Sequence, residues 1–122
     1  MNTKPKLLYV DDEILFHYLI GEILASSFEM DFANNGKEGL EKALNNDYDI
    51  VLMDVSMPIM SGDKSAENIK NVKPDQYIIA MTAYHVSEFN ALPFNDYYQK
   101  PIKITNIREK LLNVYECQVK KT

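Results

Sequence analysis

Two spacings of apolar residues alternate along the chain. Leu7-Leu8-Tyr9-Val10, Met30-Asp31-Phe32-Ala33, Ile50-Val51-Leu52-Met53 and Ile78-Ile79-Ala80-Met81 are short runs of strand length, and Tyr97-Tyr98 is a weaker fifth. Between them the spacing is helical. Leu15, Leu19, Ile23 and Ser26 fall on one helix face, flanked by Phe16, Ile20 and Leu24. Ile104, Ile107, Leu111 and Val114 repeat that pattern near the end. Asn35 before Gly36-Lys37-Glu38 predicts a helix start, because its side-chain oxygen can take a first-turn N–H that has no partner inside the helix.

The runs at 7–10, 50–53 and 78–81 are apolar throughout rather than alternating. Strands covered by helices on both faces read this way. Five strand–helix repeats in 122 residues predict an α/β chain. The expected architecture is a doubly wound five-stranded parallel sheet with helices on both faces. Right-handed crossovers give the flavodoxin-like strand order 2-1-3-4-5. No repeat, low-complexity tract or Ser/Gly/Pro linker divides the chain, so one domain over residues 1–122 is expected.

Composition narrows the class without changing this picture. With 46% hydrophobic and 25% charged residues the chain is neither disordered nor fibrous. Its longest apolar runs are far short of the ~20 residues that span a bilayer. Asp11-Asp12-Glu13 cuts the first run too early for a secretory signal, so neither membrane nor export is expected. A single cysteine, Cys117, cannot form an internal disulfide, and a reducing cytoplasm is the default location. The net charge of −5 is unevenly spread: residues 1–99 hold 7 basic and 16 acidic side chains, residues 100–122 hold 6 and 2. An acidic body with one arginine is a poor match for a nucleic-acid backbone.

The residues that follow each apolar run carry the chemistry. Asp11 and Asp12 follow Val10, Asp54 follows Met53, Thr82 follows Met81, and Lys100-Pro101 follows the fifth run. In an open parallel sheet the carboxyl ends of the strands line one edge, where ligands bind. Three carboxylates, a hydroxyl and an ammonium should therefore converge. Two unit charges ~4 Å apart repel by about 4 kcal/mol at an effective dielectric of ~20, so three crowded carboxylates call for cations. Lys100 supplies one positive charge. A hard divalent ion with oxygen ligands supplies the rest, and Mg2+, which keeps several waters and takes one or two carboxylates plus phosphate oxygens, fits best. His17 and His85 have no metal-ligand partner at useful spacing and read as surface or rim residues.

These pieces resemble a response-regulator receiver domain over essentially the whole chain. The resemblance rests on Val10-Asp11-Asp12-Glu13, Asn35-Gly36-Lys37-Glu38-Gly39-Leu40, Asp54-Val55-Ser56-Met57-Pro58-Ile59-Met60-Ser61-Gly62, Thr82-Ala83 and Lys100-Pro101, with Tyr97 three residues before the lysine. It implies a phosphorylation-dependent receiver of a two-component phosphorelay, with Asp54 taking a phosphoryl group from a phosphohistidine. It further implies direct Mg2+ ligation by Asp12, Asp54 and the backbone carbonyl of Ser56, with Asp11 acting through water. Lys100 and Thr82 would bind phosphoryl oxygens, Tyr97 would move inward as Thr82 shifts, and the Lys100-Pro101 peptide would be cis. The implied partners are a sensor histidine kinase or histidine phosphotransfer protein and an unidentified downstream target. A phosphorylation-dependent dimer is compatible with the resemblance. No enzyme acting on an external substrate is implied, only the chain's own phosphoryl transfer and autodephosphorylation.

The chain departs from the family between Thr82 and Lys100, which is about one helical turn short. Pro93 limits a fourth helix there, and Asn95 stands near a common helix-ending glycine, whose left-handed backbone it could adopt. Tyr84 and Ser56 occupy variable positions two beyond Thr82 and Asp54. Other classes fit less well. An aspartyl-nucleophile hydrolase wants a second acid where Ser56 stands, and a flavin carrier wants a phosphate loop where Asp11-Asp12-Glu13 stands. The remaining alternative is a vestigial, non-phosphorylated receiver-like interaction module, against which the five intact positions argue. If the acids are held together for a metal, Asp11→Asn should stabilise the metal-free fold.

Overall fold

Each apolar run forms a strand: β1 (Lys6–Val10), β2 (Glu29–Ala33), β3 (Ile50–Asp54), β4 (Ile78–Thr82) and β5 (Asp96–Gln99). The helices are α1 (Ile14–Leu24), α2 (Gly36–Asn45), α3 (Gly62–Val72) and α4 (Ile104–Val114), the last running into a π-helical turn at Tyr115–Val119. The structure, a computed structural model, describes residues 3–83 and 93–120. The segment expected to hold a shortened fourth helix, with Tyr84 and His85, lies outside the described residues, so the terminal helix carries the label α4.

All strand pairs are parallel, and the sheet order is β2-β1-β3-β4-β5, as the sequence predicts. Side chains of a strand point alternately to its two faces, and both faces are covered. Leu8, Val10, Val51, Met53 and Ala80 pack with Ala43 of α2 and Ala66 and Ile69 of α3. Leu7, Tyr9, Ile50, Leu52, Ile79 and Met81 pack with Ile20 and Leu24 of α1 and Ile107 and Leu111 of α4. This two-sided burial is why the inner strands are apolar at every position. Tyr97 and Tyr98 divide in the same way between the two clusters, so β5 is a genuine edge strand despite its polar neighbours. Among the described residues no helix is long and apolar enough to cross a membrane.

Two expectations change. On α1 the buried stripe is Ile20 and Leu24, while Leu15 and Leu19 are 74% and 43% exposed. Eight of the helix's eleven residues are apolar, so helical spacing finds more than one stripe, and only the docking of α1 on β1 selects which is covered. Asn95 is not left-handed; Ile59 is the only described non-glycine residue with positive φ. Asn95 instead accepts hydrogen bonds on Oδ1 from Ile78 N–H at 2.9 Å and Lys70 Nζ at 2.6 Å, satisfying the first N–H of β4. The Asn35 cap forms as expected, with its Oδ1 accepting from Glu38 N–H at 2.9 Å.

Candidate functional site

The carboxyl ends of β1, β3, β4 and β5 meet at one edge. Asp11 follows β1 and is fully buried, Asp12 beside it is exposed, and Asp54 closes β3 and is buried. One carboxylate oxygen from each of Asp11, Asp12 and Asp54 lies within 4.8 Å of the others. Lys100 Nζ approaches Asp54 Oδ1 to 3.1 Å, and Ser56 N–H donates to the same oxygen at 3.3 Å. Lys100 is delivered by an extension of the strand ladder, its N–H donating to Thr82 O at 2.7 Å, and the peptide to Pro101 is cis. Its ammonium passes 5.9 Å from the centre of the Phe16 ring on α1.

Thr82 ends β4 and is buried. In the β4–β5 register Ala80 opposes Tyr97 and Thr82 opposes Gln99. Tyr97 therefore shares the α2/α3 face of the sheet with Thr82, two positions back from the edge. Asp11, Asp12, Asp54, Ser56, Thr82 and Lys100 thus lie at this edge, and Tyr97 stands half-buried just below it.

Glycine geometry closes the loop around the site. A Cβ on Gly62 would come 2.3 Å from Asp54 O and 2.8 Å from Val55 Cα, so the start of α3 can lie against the end of β3 only without a side chain. Gly36 meets Met60 O at the same 2.3 Å, which brings α2 against the β3–α3 loop. Within that loop Met60 N–H donates to Pro58 O across Ile59, whose φ of 73° is a strained value for a β-branched residue.

Burial pushes the Asp54 carboxyl above its ordinary value of 3.8. The Asp11 charge pushes the same way, against the pull of Lys100 and the Ser56 N–H. Three acids facing one ammonium leave an excess of negative charge, and all the side-chain donors are hard oxygens. That set fits a small hard dication and no soft metal. Asp54 is in addition an oxygen nucleophile with a cation already at hand.

Two participants escape sequence reasoning. Tyr9, inside the first apolar run, donates its hydroxyl to Asp11 Oδ2 at 2.8 Å. His17 is not idle at the rim: its Nε2 lies 2.6 Å from the Asp11 backbone oxygen. A tyrosine in a fully buried run must find a partner for its hydroxyl, and that signal was available for Tyr9. Nothing in the sequence marks a backbone carbonyl as the acceptor for His17.

The sequence profile described as the response regulator receiver domain matches residues 7–112. The sensory transduction protein LytR of Staphylococcus haemolyticus is 37% identical over 121 residues, covering 93% of this chain and 46% of the relative. Hybrid signal transduction histidine kinase G of Dictyostelium discoideum is 32% identical over 113 residues, covering 84% of this chain and 3% of the relative. The chain thus spans less than half the length of these relatives. The response regulator TrrA of Thermotoga maritima, solved in complex with Mg(2+)-BeF, superposes with a TM-score of 0.81 at 34% identity, covering 92% of this chain and 99% of that one. With the fold, the acid cluster and this match in agreement, the chain belongs to the response regulator receiver domain family of two-component signalling.

Proposed function

We propose that the chain takes a phosphoryl group from a phosphohistidine onto Asp54 and that the modified site reshapes the surface around β4 and β5. The observation that carries this reading is the convergence of Asp11, Asp12 and Asp54 at one sheet edge with Lys100 3.1 Å from Asp54. A carboxylate oxygen of Asp54 bonds to phosphorus as the P–N bond to the donor imidazole breaks. The bonding pair leaves on that nitrogen, which takes up a proton. Phosphoryl transfer is catalysed chiefly by positioning and charge neutralisation, and the chain's own residues are arranged for both. Lys100 moves from Asp54 to a phosphoryl oxygen, and the Thr82 hydroxyl donates to another. Asp12, Asp54 and the Ser56 carbonyl, with Asp11 through water, would hold Mg2+, which would supply the remaining positive charge for the phosphoryl oxygens. As Thr82 is drawn toward the phosphoryl group, space opens on its face of the sheet, and Tyr97, two positions away on that face, turns inward.

The donor is a histidine kinase or histidine phosphotransfer protein. α1 begins directly beside the acids, and it exposes Ile14, Leu15, Tyr18 and Leu19. Between α1 and the Pro101 loop lies a cavity of about 480 Å³ walled by Phe16, Ile20, Met81 and Ile102, with Lys100 at its edge. This apolar surface borders Asp11 and Lys100 and receives the helix bearing the phosphohistidine. The exposed Lys103, Arg108 and Lys110, at the start of α4 and along it, serve an acidic downstream target.

The test is intact-mass measurement after incubation with Mg2+ and a small phosphoramidate donor. One phosphoryl increment that disappears with chelator and in Asp54→Asn is expected. An adduct that survives Asp54→Asn, or none with the wild-type chain, overturns the reading.

A further inference from the structure

Asp11 is gripped far more tightly than its neighbours at the acid edge. Its Oδ2 accepts from Tyr9 Oη at 2.8 Å and its Oδ1 from Glu13 N–H at 3.0 Å. Its backbone N–H donates to Ala33 O at 3.1 Å, and its backbone oxygen faces His17 Nε2 at 2.6 Å, so that nitrogen carries a hydrogen. The grip is itself supported by packing. The His17 ring stacks on Phe32 with centroids 5.4 Å apart and meets the Tyr9 ring edge-on at 5.6 Å, while Phe32 meets Tyr9 at 6.5 Å. Asp12, the next residue, is exposed.

We propose that Tyr9, braced by His17 and Phe32, is a positioning residue of the cation site, its hydroxyl holding the Asp11 carboxylate in place beside the other acids before any ion arrives. The inference rests on the metal-site reading above and adds to it a residue that the phosphoacceptor motif does not include. A buried carboxylate without donors would turn away from the other acids toward whatever polar partner it could reach. Each Asp11 oxygen has one donor and keeps lone pairs for an ion or its bound water. Outer-shell partners that orient the groups around a metal ion contribute about 10- to 100-fold to metal affinity. The competing account is that Tyr9 is a core aromatic that uses Asp11 only to satisfy its own hydroxyl. The two accounts differ in what happens to metal binding when the hydroxyl alone is removed.

Tyr9→Phe keeps the ring and its packing. Calorimetric Mg2+ titration of wild type, Tyr9→Phe, Asp11→Asn and the double variant, with metal-free melting curves as a folding check, tests the proposal. The expected result is roughly tenfold weaker Mg2+ binding by Tyr9→Phe, with no further loss when it is added to Asp11→Asn. Binding by Tyr9→Phe within twofold of wild type, or a tenfold loss that persists without the Asp11 charge, overturns the proposal. Should Tyr9→Phe fail to fold, His17→Phe carries the test. It preserves the stack on Phe32 and removes the contact to the Asp11 carbonyl, and its Mg2+ affinity should fall in the same direction; unchanged affinity counts against the brace. Absence of Mg2+ binding by the wild-type chain overturns the metal-site reading instead.

Discussion

Asp54 combines burial, a like charge at Asp11 and one close cation, and its carboxyl stays above its ordinary value even with Lys100 in place. A carboxyl raised in the folded state costs stability once pH exceeds its unfolded value, and the penalty grows until pH passes the raised folded value. Asp54→Asn should therefore raise the metal-free melting temperature by roughly 4 °C, about 1 kcal/mol, in a neutral thermal melt. Saturating Mg2+ should reverse the order, because only the intact acid set gains binding free energy. Asp11 is a poorer place to look for this relief, since two hydrogen-bond donors already compensate its charge. Gly62→Ala should cost more than about 2 kcal/mol by denaturant unfolding, because the clash is with backbone that no rotamer change can clear. At this scale the acids, Thr82 and Lys100 were legible because strand ends in a parallel sheet share an edge. Tyr9 was legible only as a buried hydroxyl in need of a partner, and the fold alone shows that the partner is Asp11.

At the scale of elements, periodicity located the inner strands, α1 and α4, and the Asn35 cap located α2, but the spacing could not orient α1. Ile14, Leu15, Phe16, Leu19, Ile20, Ile23 and Leu24 make the helix apolar on several sides, and the packing of Ile20 and Leu24 against β1 and β3 decides the outcome. The exposed remainder gives a prediction. Leu15→Ser and Leu19→Ser together should leave small-donor phosphorylation unchanged and slow transfer from a phosphohistidine protein by tenfold or more. Equal rates from the protein donor would detach α1 from donor docking. The β2–α2 corner gives another. Burial raises the Asp31 carboxyl, but hydrogen bonds from Tyr48 and Phe32 N–H, with Lys42 nearby, hold it below its ordinary 3.8. Such a group contributes stability above its unfolded value and loses it as pH falls through the folded one. Asp31→Asn should therefore be less stable than wild type at pH 7, with the gap closing below pH ~4, in parallel denaturant titrations.

Across the whole molecule, the parallel order β2-β1-β3-β4-β5 explains how residues 43 positions apart, Asp11 and Asp54, come within a few ångströms, with Lys100 closing the set from the far strand. The same topology places Tyr97 on the Thr82 face of the adjoining edge strand. The central claim is that Asp54 becomes an acyl phosphate. Borohydride reduces an aspartyl phosphate to homoserine, so peptide mass spectrometry after phosphorylation and reduction reads the site directly. Homoserine at position 54 alone, dependent on Mg2+, is the predicted result. Homoserine at Asp11 or Asp12, or an unreduced Asp54 in a chain that carries phosphate, would contradict it.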